Sequence, residues 1–259
     1  MGHDSIDEPV LHFLRKGQEQ KMEASMIKKI VDDVMPQMIS DRRHLHKHPE
    51  LSFEEYQTTE FLCRELEAAG IEDIRRPVKT GVVAVIHGAY PGKTVAIRAD
   101  IDALPIQEKN ELEFCSVNDG VMHACGHDDH MTGLLGAAML LCERREEIAG
   151  TVKLIFQPAE EMSPVGGSRG MLHSGYMDDV EAVFGLHVWP DLPHGKIGVK
   201  AGPLMAATDH FTINIHGKTA HGAKPNQGID AVVLGSQFVM AAQTIVSRKV
   251  DPLDNAVVT

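Results

Sequence analysis

At 259 residues, with 43% hydrophobic and 24% charged side chains, the chain has material for a sizeable core and one or two globular domains. Its formal charge of -12, with no basic cluster of any length, excludes nucleic acid and acidic membrane surfaces as partners. Four scattered cysteines without a C-x-x-C pair exclude a disulfide framework, and no run reaches the roughly 18 apolar residues of a membrane span, so a reducing, cytoplasmic setting is expected.

Residues 1–25 are polar and uneven and read as an extension with no committed fold; either Met22 or Met26 could serve as a start. From Met26 to Met38 apolar residues recur at helical spacing (Ile27, Ile30, Val31, Val34), which predicts an amphipathic helix. A charged segment then breaks at Pro49, with His44 and His48 read as a solvated helix end. Ser52 with Glu55 three residues on predicts a capping box, opening a second helix through Tyr56, Phe61, Leu62 and Leu66 to Gly70. Residues 82–86 and 94–98 are short and β-branched, and A-Y-P-G-K between them predicts a hairpin-type connection. The second strand runs straight into Asp100-Ile101-Asp102, two aspartates that face the same way on extended backbone.

Residues 120–141 organise the chain. They pack one cysteine, three histidines and two aspartates into H-A-C-G-H-D-D-H and then turn into an apolar helix, with Asp128 and Asp129 where N-terminal caps are favoured. Cys125 and His127 are two residues apart, so they share a side; they are either half of a transition-metal site or part of a histidine-rich surface loop. Residues 151–156 predict a buried strand ending at Glu160 and Glu161, ahead of a glycine-rich turn. Residues 182–186 predict a further strand, ending at His187. Three strands thus end in metal-type or acid–base residues around the Cys125/His127 lip, and ligands of open α/β sheets gather at the carboxyl ends of strands. Beyond Gly202, H-F-T-I-N-I-H (residues 210–216) alternates as a half-buried strand should. A polar loop (217–228), a helix (229–246) and an extended tail (250–259) follow, so this stretch reads as the beginning of a second, α+β domain.

A metal held by Cys125, His127, Glu161 and His187 would polarise a carbonyl and lower the pKa of water towards about 7. Adjacent residues on non-helical backbone point to different sides, so Glu161 can bind metal while Glu160 serves as general base. Asp102 could orient a ligand from behind. No H-E-x-x-H, G-x-S-x-G, P-loop or nucleobase-deaminase signature is present. The competing reading makes Cys125 a free nucleophile. His127 is then badly placed, since thiol catalysis takes its histidine from elsewhere in the sequence.

The segments R-x-x-H-x-x-P-E-L-S-x-E, R-A-D-I-D-A-L-P, H-A-C-G-H-D, F-Q-P-A-E-E and G-L-H-V-W-P, in this order, resemble the M20 peptidase family. They are most similar to its amidohydrolase branch, with hippurate, N-acyl-amino-acid and auxin-conjugate hydrolases. The resemblance implies an α/β metallohydrolase: a mixed, mostly parallel sheet flanked by helices, as in zinc exopeptidases, over residues 26–206. It implies the start of a smaller α+β lid and dimerisation domain over 207–259, and a homodimer when that domain is whole. It further implies two divalent metal ions (zinc, or manganese, nickel or cobalt) held by Cys125, His127, Glu161 and His187, with Glu160 as base and Asp102 as support. Asp100 stands where other branches keep a metal-binding histidine. G-K-T-A-H-G-A-K-P resembles the lid motif whose histidine, here His221, stabilises the developing oxyanion; the family more often reads H-A-A-x-P-H, where this chain has Gly222 and Asn226. The implied reaction is hydrolysis of the amide bond of small N-acyl amino acids. A dipeptidase or carboxypeptidase on the same scaffold, or an inactive metal-binding fragment, is the alternative. Family members continue past residue 259 and return a further histidine ligand, so the chain is read as an N-terminal portion.

Overall fold

A computed structural model describes residues 24–162, 165–205, 207 and 209–259. The extension expected over residues 1–25 lies, but for its last two residues, outside the described residues. The chain divides into two compact units, Met1–Ala207 and Thr208–Thr259.

In the first unit, α1 (Ala24–Lys47) runs well past the expected Met38. It does so because Asp41, Leu45 and His46 turn inward at helical spacing, giving the charged segment a buried face; His44 and His48 stay exposed, as expected. Next comes α2 (Tyr56–Ala68), which buries Phe61, Leu62 and Leu66. The capping box does not form. Glu55 stands at the N-cap without a side-chain bond to the helix, and Ser52 Oγ donates to Asp102 Oδ2 at 2.6 Å. Both side chains are drawn to tertiary partners that a local pattern does not contain.

Strands β1 (Asp73–Arg75), β2 (Val82–His87) and β3 (Tyr90–Asp100) precede α3 (His127–Glu143), which is followed by β4 (Ala149–Gln157), the short α4 (Ser168–His173) and β5 (Val180–Gly185). The sheet order is β1-β2-β4-β3-β5; only β2 runs against the rest. The expected hairpin between β2 and β3 is therefore absent, because β4 lies between them. It pairs Val82 with Phe156 antiparallel on one side and Ile97 with Leu154 parallel on the other. The connection instead crosses the start of β4, where Gly88 N–H donates to Gly150 O and Tyr90 N–H to Ile148 O. A strand as apolar as β4 gains from two neighbours, since both of its faces and both of its edges are then covered.

One face of the sheet packs Val82, Ala84, Leu154 and Phe156 against Leu45, Leu62, Leu66, Met131 and Leu135 of the three long helices. The other packs Val83, Ala96 and Ile155 against Met171 of α4. This is the mostly parallel sheet flanked by helices that the sequence implies. The edge strand β5 is thinly covered: Val183 is 58% and Phe184 46% exposed.

In the second unit, α5 (Ala231–Lys249) is capped by Asp230, whose Oδ1 accepts from the N–H groups of Val232 and Val233. Residues 210–216 form no strand among the described residues, where the unit's ladder contact is the bridge Lys218↔Ile229. Alternation marks one half-buried face, but a strand exists only where a neighbour takes its backbone bonds. No described helix is long and apolar enough to cross a membrane.

Candidate metal centre

Parallel neighbours end on the same edge of a sheet, so β3, β4 and β5 deliver Asp100 and Asp102, Glu160 and Glu161, and His187 to one place. The N-terminus of α3 brings Cys125 and His127 there. Gly126 is the N-cap at φ 88, and a Cβ at that position would collide with the Val188 side chain. Asp128 and Asp129 fall in the first turn of α3 instead of capping it, where they still complement the helix dipole.

His127 is 1% exposed. Its Nδ1–H donates to the Asp102 carbonyl at 2.8 Å, so in the neutral ring Nε2 is the nitrogen with the free lone pair. Among the described residues Nε2 has no hydrogen-bond partner, and it faces Asp100 Oδ1 at 3.6 Å, Glu160 Oε2 at 3.8 Å and Glu161 Oε1 at 3.8 Å. Glu161 Oε1 is likewise buried without a partner. His187 repeats the pattern: Nδ1–H donates to Val188 O at 2.6 Å, and Nε2 stands 3.4 Å from Cys125 Sγ. Donor atoms of Cys125, His127 and His187 lie within 4.8 Å of one another, as do those of His127, Glu160 and Glu161. Imidazoles anchored through Nδ1 present Nε2 to a cation, and buried orphan atoms are costly unless something compensates them. The four residues singled out as ligands are divided between these two groups, which share His127, and the mixture of thiol, imidazole and carboxylate suits a late transition metal.

Asp102 acts through its backbone and its carboxylate together. The carbonyl holds His127, while Oδ1 accepts from Glu160 N–H and Oδ2 from Glu161 N–H, both at 3.0 Å. Asp100 is spoken for: Oδ1 accepts from His130 Nδ1–H at 2.6 Å and Oδ2 pairs with Arg98 at 2.7 Å. His130 Nε2 in turn accepts the Val188 N–H at 3.0 Å, bracing the backbone beside His187. Sequence reasoning passed over His130, although its position three residues after His127 puts both rings on one helix face. It also missed Ser52 and Glu55 as parts of the site.

Burial, with Asp100 and Glu161 nearby, raises the Glu160 carboxyl above the usual range. Burial and the same carboxylates push the Cys125 thiol up to about 12, so the free thiol is not ionised at neutral pH and is no ready nucleophile. Burial opposes ionisation of Asp100, but His130, His127 and Arg98 outweigh it and hold the group at about 2. For His127 burial works against the charged ring, yet Asp102 and Asp100 prevail and raise it. His221 lies in the second unit, exposed, with Nδ1 accepting from Ala223 N–H at 3.1 Å.

Comparison with known proteins agrees with this chemistry. A family model described as Peptidase family M20/M25/M40 matches residues 96–255. An N-acyl-L-amino acid amidohydrolase of Geobacillus stearothermophilus is 52% identical, over 90% of this chain and 63% of the relative. Thermostable carboxypeptidase 1 of Saccharolobus solfataricus is 42% identical, over 90% of this chain and 60% of its own length. The crystal structure of a Bacillus subtilis dinuclear metal-binding M20 peptidase shares 53% identity at a TM-score of 0.64, covering 67% of this chain and 48% of that one. The chain spans about three-fifths of the length of these two curated relatives, 63% and 60%.

Proposed function

The chain belongs to peptidase family M20/M25/M40, with its similarity falling in the amidohydrolase branch, and from that premise we propose that it carries the metal centre of an enzyme hydrolysing N-acyl amino acids. One observation supports this above the others: a buried imidazole nitrogen, His127 Nε2, has no partner and is ringed by two glutamates and an aspartate. Cys125, His127, Glu161 and His187 would hold a pair of divalent ions, zinc foremost, with manganese, nickel or cobalt as alternatives. Bound there, such ions polarise an amide carbonyl and acidify water. Glu160, with its raised carboxyl, takes the proton from the attacking water at Oε2 and delivers it to the leaving nitrogen. Asp102 fixes the tautomer of His127 and the backbone beneath both glutamates. By the same resemblance we assign oxyanion stabilisation to His221 and a homodimer interface to the second unit when that domain is whole, and four free cysteines suit a cytoplasmic setting.

Acid release from N-acetyl and N-benzoyl amino acids by the zinc- or manganese-loaded chain tests the proposal. Release should stop with chelator and return with added metal, whereas turnover that survives chelation would rule the mechanism out. The carboxypeptidase relative favours a second reading, peptide cleavage on the same scaffold. Comparing kcat/KM on N-acyl amino acids and on dipeptides separates the two.

Metal uptake should also depend on pH. Cys125, near 12 without metal, must give up its proton to bind, and so must any His127 still protonated. Falling pH adds protons to displace, so affinity rises with pH, by about tenfold per unit across neutrality for the thiol alone. Calorimetry in buffers of different ionisation enthalpy should show proton release on zinc binding, reduced by about one proton in Cys125→Ser. A pH-independent affinity would remove Cys125 from the ligand set.

A further inference from the structure

Ala159 stands at φ 50, a left-handed conformation that side chains beyond glycine rarely adopt. It immediately precedes Glu160. Three successive amides from this residue onward each end on a carboxylate. Ala159 N–H donates to Glu55 Oε1 at 2.7 Å, and those of Glu160 and Glu161 donate to the two oxygens of Asp102. Glu55 reaches Ala159 from 104 residues earlier in the chain, and it is wholly buried. Although it occupies the N-cap of α2, it forms no cap bond there. Among the described residues its Oε2 has no hydrogen-bond partner, and burial raises its carboxyl above the usual range, although Thr80 and the amides of Glu55, Ala159 and Phe53 act the other way. A carboxyl group buried on such terms costs stability, which points to something gained at Ala159.

We propose that Glu55 is a positioning residue for the Glu160–Glu161 pair: by binding the Ala159 amide it holds the left-handed turn that sets both carboxylates 3.8 Å from His127 Nε2. The backbone explains why the turn needs holding. A residue with a Cβ resists this conformation, so the turn is held from both sides: Ala159 O accepts from Gly167 N–H at 3.2 Å, and Ala159 N–H donates to Glu55. Asp102 secures the next two amides but leaves that of Ala159 to Glu55. The role rests on the reading of Glu160 and Glu161 as base and ligand, so the test separates the two.

Amide exchange is read first, on the metal-free full chain. Glu55→Ala should speed exchange at Ala159 by about tenfold or more, as leaving a buried N–H without its acceptor does, while Glu55→Gln, which keeps an acceptor oxygen, stays within about threefold. Zinc titration follows. Glu55→Ala should weaken zinc binding by about 10- to 100-fold, the range seen for residues behind metal ligands. Adding Ala159→Gly should recover most of that loss, because glycine takes the left-handed conformation without strain. A residue that merely supports the fold would show no such recovery. Should Glu55→Ala fail to fold, Glu55→Asp, one methylene short, must speed exchange at Ala159 where Glu55→Gln does not. Unchanged exchange in Glu55→Ala, or equal acceleration in Glu55→Gln with no rescue by Ala159→Gly, would overturn the proposal. A wild-type chain that binds no zinc would instead sink the metal-hydrolase reading, and the exchange rates would still decide the role of Glu55.

Discussion

Glu160→Gln should lower kcat for amide hydrolysis by about 10²- to 10⁴-fold, the usual worth of a general base, and leave zinc affinity nearly unchanged. Glutamine keeps the size of the side chain and the backbone bond from residue 160 to Asp102, and loses only the ability to take a proton. The two neighbouring glutamates differ in exposure, which supports the roles proposed for them. Glu161 is 24% exposed, with Oε1 buried and unpartnered, while Glu160 is 40% exposed and open to a reactant. Glu161→Gln should therefore show the opposite balance, losing metal first. Steady-state kinetics and zinc titration on the same preparations check this. Equal loss of zinc in both variants would make Glu160 a ligand and leave the reaction without its base.

His127→Ala should weaken zinc binding by more than about 100-fold, beyond what residues behind the ligands cost. This side chain belongs to every group of donors that the described residues bring together, so no subset of the others compensates for it. The substitution also strips the Asp102 carbonyl of its buried donor, which destabilises the fold by about 1–3 kcal/mol. Calorimetry and a thermal melt on the same sample measure both effects. Zinc affinity close to that of the unaltered chain would show that the ion sits elsewhere.

Much of the site was legible because its signals are short-range. Cys125 and His127, Glu160 and Glu161, and His187 each follow or precede an apolar segment of recognisable period, and the sheet does the rest by aligning strand ends. What failed were inferences that needed a partner far along the chain. Ser52 and Glu55 have the spacing of a helix cap, yet they bond to Asp102 and Ala159, and nothing within ten residues of either announces that. The A-Y-P-G-K turn looks like a hairpin because β4, which separates its two strands, lies nearly sixty residues later in the chain (Ala149 against Pro91). Residues 210–216 alternate correctly but have no strand beside them among the described residues, so their pattern reports burial preference and not pairing.

The two imidazoles facing Cys125 are anchored very differently. One sits in the interior at the head of α3, whereas the other hangs from β5, whose outward side chains are bare. Fluctuations in a folded chain start where few contacts oppose them. Amide exchange should therefore be faster around His187 than around His127, the one imidazole being held by an edge and the other by the core.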